Sequence, residues 1–136
     1  MTRAVPPCSC LRAHKDLAVF VESGIQALRP IHRRLVETPE VYECSLDLDK
    51  ARKRAEPNAT RWDYALATNR LFVAMEIHPA KASEVNVMIR KKQWAESLLP
   101  SAIRVARWNW IVPHRSRIHF TLLSPEARRL ALFHSS

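Results

Sequence analysis

The chain has 136 residues, 47% of them hydrophobic, which suits one domain with its own core and argues against long disorder. Twenty-two Lys and Arg against 13 Asp and Glu leave a formal charge of +9, a balance that favours a polyanionic partner, nucleic acid above all. The single glycine, Gly24, excludes phosphate-cradling loops, dinucleotide folds and the serine-nucleophile elbow, all of which need several glycines at fixed spacing.

No apolar run approaches the roughly 20 residues of a membrane span, and the first residues lack the apolar stretch of a secretory signal. The expected location is the cytoplasm, with no membrane partner. Residues 1–10, which include Pro6-Pro7, read as a flexible arm, and residues 11–136 as a single domain. Cys8, Cys10 and Cys44 are an odd count with no disulfide framework. Together with His14 they would make four zinc ligands, but their spacing departs from that of standard zinc sites.

From Leu11 a helical pattern sets in, with Leu17, Val21, Ile25 and Leu28 at four- and three-residue steps. Pro30 kinks it, and Thr38-Pro39-Glu40 ends it. Val41 to Leu48 alternates as a half-buried strand, with Tyr42, Cys44, Leu46 and Leu48 to one side. Asp47 and Asp49 close that strand and read as a turn or helix cap rather than a cation site. Lys50 to Thr60 is a basic surface segment, either a solvated connection or a phosphate-contacting rim.

Arg61–Ala67 and Arg70–His78 form a hairpin about Thr68-Asn69. With a two- or four-residue loop, Asp63, Ala74, Glu76 and His78 share one face, Glu76 diagonal to Asp63. Trp62, Tyr64, Leu66, Leu71, Val73, Met75 and Ile77 take the other, the expected core side. Ser83 is a plausible N-cap for a helix whose apolar stripe comprises Val85, Met88, Ile89, Ala95 and Leu99. Lys92 falls within that stripe, so its ammonium must reach an acid or snorkel outward.

Pro100 stops the helix. Ile103 to Val112 is a strand with Trp108 and Trp110 on one side, a pair suited to stacking on bases or, more commonly, to a core. Pro113 breaks it, Arg117 to Leu122 forms another strand, and a short helix starts at Ser124-Pro125-Glu126. The order is α-β-β-β-α-β-β-α, a mixed α/β fold with a central sheet flanked by helices and a parallel crossover from Arg70 to Val112.

That order, with an acid early in the second strand and E-x-H on the third, resembles the restriction-endonuclease-like, or PD-(D/E)XK, nucleases. The resemblance covers about three quarters of the chain and implies an αβββαβ core and metal-dependent hydrolysis of phosphodiester bonds. Asp63 matches the first acid, Glu76 the second, and His78 stands where the family carries lysine. Some members place that lysine on the following helix, where Lys92 stands ready; Lys81 is the other candidate. Asp63, Glu76 and the Ile77 carbonyl then form a hard oxygen site of the kind Mg²⁺ prefers. Lys50, Arg52, Lys53, Arg54, Arg61, Arg90 and Lys91 are the expected contacts to nucleic acid, DNA in the first instance. The competing expectation is a basic nucleic-acid-binding or protein-interaction protein of a bacterial system without enzymatic activity.

Overall fold

The computed structural model describes residues 6–36, 41–79, 81–99 and 105–112. Their centre is a five-stranded mixed sheet in the order β1-β2-β3-β4-β5, formed by Val21–Ser23, Cys44–Asp47, Tyr64–Ala67, Phe72–Ile77 and Val105–Ile111. The first four strands run antiparallel to their neighbours, and β5 lies parallel to β4. Among the described residues, four α-helices accompany the sheet: α1 (Pro7–Ala13), α2 (Pro30–Arg33), α3 (Leu48–Arg52) and α4 (Val85–Leu98). The expected mixed α/β sheet flanked by helices is therefore present, with α4 making the parallel crossover.

The largest departure lies at the N-terminal side. The long helix expected from Leu11 onward is replaced by α1, a 3₁₀ turn at Ala18–Phe20, the edge strand β1 and the single turn of α2. Gly24 explains part of this: its φ of 54° ends β1 in a left-handed conformation that no α-helix adopts. Its N–H donates to the Glu43 carbonyl at 3.0 Å, so the chain turns back along β2. The residues expected in the arm also differ, because α1 begins at Pro7 and buries Cys8 and Leu11.

Cys8 and Cys44 form a disulfide across 36 residues, which corrects the expectation of unpaired cysteines. The odd count had hidden a pair that only the packing of α1 against the sheet brings together. Two of the four conceivable zinc ligands are thereby consumed. Among the described residues no group of three or more His, Cys, Asp or Glu side chains is placed to hold a metal.

Both faces of the sheet are covered. One core joins Cys8, Leu11, Leu46, Ala65, Ala74 and Met88, on the side of α1 and α4. The other joins Leu28, Tyr42, Tyr64, Leu66, Val73 and Met75. The hairpin face expected to carry only the site is thus itself a core face. Trp62 packs on the α1–α4 side, edge-on to Trp108 with ring centres 5.1 Å apart, and Leu71 is exposed in the hairpin loop. Trp108, 6% exposed, is a core residue. The segments expected to end the first helix at residues 38–40, and the strand and helix beyond Pro113, lie outside the described residues. Among the described residues no helix is long and apolar enough to cross a membrane.

Candidate metal and nucleic-acid site

The site is assembled by the hairpin register. Tyr64 pairs with Met75 and Ala67 with Phe72, so residues 68–71 form a four-residue loop. The Thr68 hydroxyl accepts from the N–H groups of Arg70 (3.2 Å) and Leu71 (2.9 Å), which holds that loop in shape. Continued by one residue, the register sets Asp63 directly opposite Glu76, where the sequence had suggested a diagonal. Strict alternation does not reach this far, since Asp63 lies just outside β3 and Trp62 packs on the same side as Ala74; hydrogen bonds bring the two acids together.

The two acids hold each other's backbone. Asp63 N–H donates to Glu76 Oε1 at 3.1 Å, and Ile77 N–H donates to Asp63 Oδ2 at 3.0 Å. Glu76 is 1% exposed, while Asp63 is half-buried at the mouth of the site. Burial, reinforced by the adjacent Asp63 carboxyl, pushes the Glu76 pKa up to about 9. Lys91 pulls the other way, its Nζ 3.1 Å from Glu76 Oε2, but does not offset the cost of burial.

The lysine at the site is therefore Lys91, not Lys92. Lys92 does face inward as its wheel position requires, 6% exposed, but its Nζ stands 5.4 Å from the centre of the Trp108 ring. Burial depresses its pKa, with Glu96 acting in the opposite sense. A lysine at the centre of the stripe lies over the middle of the sheet; one on its flank can extend along its stem to a carboxyl near the end of β4. That helical geometry was the signal for Lys91, which the sequence reading had assigned only to phosphate contact.

His78 takes another role. Its Nε2 lies 3.1 Å from Glu84 Oε2, its N–H donates to the Ile111 carbonyl, and its own carbonyl accepts from Trp110 Nε1 at 2.7 Å. It ties the end of β4 to β5 and to the start of α4. Lys81 is exposed just before that helix, and the Ser83 side chain does not cap it.

The basic segment divides into clamps and free charges. Asp47 caps α3, its Oδ1 accepting from Lys50 N–H at 2.9 Å, as the sequence suggested. Arg61 bonds Asp49 at 2.8 Å and the carbonyls of Glu56 (2.7 Å) and Pro57 (3.0 Å), so its guanidinium is spent inside the protein. Arg52 pairs with Glu56 at 2.9 Å, and with Asp16 at 3.9 Å. Glu56 in turn accepts from Trp94 Nε1 at 3.4 Å, which docks this segment on α4 one turn beyond Lys91. Lys50, Lys53, Arg54 and Arg90 remain exposed.

Comparison with protein-family models, with curated proteins and with solved structures gave no match.

Proposed function

We propose that this chain is a metal-dependent nuclease of restriction-endonuclease-like build. In it, Asp63, Glu76 and the Ile77 carbonyl serve as oxygen ligands and Lys91 as the basic helper. The observation that carries this reading is the meeting of two facing carboxyls with one ammonium, contributed by the approach to β3, by β4 and by α4. The antiparallel run β2-β3-β4, followed by α4 and the parallel β5, supports this reading, while the edge strand β1 and the short α1 take the place of the long helix that opens the αβββαβ order.

The donor set suits Mg²⁺. It is all oxygen, and an ion of this kind commonly takes one or two carboxylates while keeping waters and substrate phosphate oxygens as its other ligands. Burial beside Asp63 keeps Glu76 protonated near neutral pH in spite of Lys91, and a bound cation would favour its ionised form. When bound, the ion would neutralise charge on the scissile phosphate and acidify a water. Asp63, the more exposed acid, would be one ligand to such an ion, and Glu76, on losing its proton, would be the other. Lys91 holds Glu76 in place and supplies positive charge beside the reacting phosphate. Lys50, Lys53 and Arg54 are the exposed charges of the segment docked on α4 and guide the nucleic-acid backbone.

The experiment is a cleavage assay on single- and double-stranded DNA and RNA in Mg²⁺, with a chelator arm and Glu76→Ala as the control. Cleavage that disappears with chelator and in Glu76→Ala is the expected result. Salt-sensitive binding with no cleavage in any arm would move the assignment to a basic nucleic-acid-binding protein. Neither binding nor cleavage would remove both.

A further inference from the structure

We propose that the Cys8–Cys44 disulfide is a redox latch that fastens the N-terminal layer, α1 and the following 3₁₀ turn, onto the sheet. This inference stands independently of the nuclease reading.

Apart from the bridge, the layer is held by Pro7, Leu11 and Leu17, by Phe20 against the same core, and by the Asp16–Arg52 pair at 3.9 Å. Helix α1 has seven residues, far short of the length at which a helix persists by itself, and no side chain caps its first turn. Only Pro7, Cys8 and Leu11 of that helix are buried, and of the residues from Arg12 to Phe20 only Leu17 is. Cys44, by contrast, sits in the middle of the fold. It is fully buried and paired through the backbone with Ser23 of β1 on one side and Ala67 of β3 on the other. The bridge thus joins a short, uncapped helix to a strand paired on both sides.

The chemistry is thiol–disulfide exchange with a dithiol. One thiolate of the reductant attacks a sulfur of the bridge and forms a mixed disulfide, and the first cysteine leaves as a thiolate. The second thiolate of the reductant then displaces the other cysteine. One S–S bond is broken in the protein and one is made in the reductant; two electrons and two protons pass to Cys8 and Cys44. Both sulfurs belong to buried residues, 3% and 0% exposed, so the attack waits on α1 lifting from the sheet. Once reduced, α1 is left with Pro7 and Leu11 as its remaining buried anchors beside the Cys8 thiol, and it detaches. The strands from β2 to β5 stay joined by their backbone pairing, the core on the face away from α1 is untouched, and α4 still packs on the sheet through Met88 and Ala95.

The test uses the full chain, folded under oxidising conditions and then either treated with a dithiol or left alone. Alkylation in denaturant should find one thiol, Cys10, in the untreated protein and three after reduction. Arg12 and Lys15, exposed on this layer, report its detachment to trypsin. Their cleavage should accelerate about tenfold or more on reduction, because proteolysis follows the open population. Cleavage after Arg90, Lys91 and Lys92 should stay slow. Cys8→Ala should match the reduced protein and Cys10→Ser the oxidised one. Should Cys8→Ala fail to fold, reduction of the already folded protein decides. Three alkylatable thiols in the untreated protein would overturn the proposal. So would equal cleavage at Arg12 and Lys15 in both states. Cleavage spreading through β3, β4 and α4 on reduction would overturn it too, by making the bridge a staple of the whole fold.

Discussion

Glu76 is a carboxyl placed where a carboxylate is costly, and its surroundings fix how it should respond to pH. Its folded-state pKa, pushed up to about 9, lies above the ordinary value of 4.5. Between those two values the folded chain holds a proton that the unfolded chain has lost. The resulting stability is present in full below about 4.5 and is lost as pH rises through about 9. Urea unfolding across this window should show the parent weakening with rising pH, and Glu76→Gln should remove that part of the slope. A slope unchanged in Glu76→Gln would refute the assignment of the proton to this residue. Asp63→Asn offers a second check, since asparagine keeps an acceptor for the Ile77 N–H while deleting the like charge. The Glu76 pKa, read by carboxyl-carbon NMR, should fall in that variant.

At the scale of elements, the hairpin and α4 could be read from the sequence because each declares itself locally. β4 is dense in branched and aromatic residues, β3 is apolar throughout, and α4 repeats its apolar positions at helical spacing. The nearness of Asp63 and Glu76 was legible too, although it is made by hydrogen bonds at the strand ends, where Trp62 departs from two-residue alternation. The N-terminal layer was not legible. Leu17, Val21 and Leu28 do recur at helical steps, but in the fold they belong to a loop, an edge strand and a second loop, and only tertiary packing distinguishes these. The roles of the cations were hidden for a related reason: whether an arginine faces a phosphate or a carbonyl depends on how the chain turns back. Arg61 illustrates this. With three hydrogen bonds to Asp49 and two carbonyls, Arg61→Ala should destabilise the fold by about 1.5–3 kcal/mol. Equilibrium unfolding measures this, and a variant as stable as the parent would show that the clamp is idle. The salt dependence of nucleic-acid binding should be unchanged in the same variant.

Over the whole molecule, a charge of +9 is carried partly by clamps such as Arg52 and Arg61 and partly by exposed side chains. Only the exposed ones release counterions on binding. Neutralising Lys50, Lys53 and Arg54 together should lower affinity and flatten the logarithmic salt slope by up to about 0.9 per lost phosphate contact. A filter-binding series over ionic strength checks this, and an unchanged slope would take the basic segment out of the interface. The central claim, that Asp63, Glu76 and Lys91 form one hydrolytic site, is tested most directly by comparing two neighbouring lysines. Cleavage of DNA in Mg²⁺ should be measured for the parent, Lys91→Met and Lys92→Met side by side. Methionine preserves the packing of each stem, so a change in rate reports the ammonium. Lys91→Met should lose about 10²–10³-fold in rate, the range for removing one electrostatic stabiliser, and Lys92→Met should cleave as the parent does. A Lys91→Met protein that cleaves at the parental rate, or a loss confined to Lys92→Met, would contradict the account.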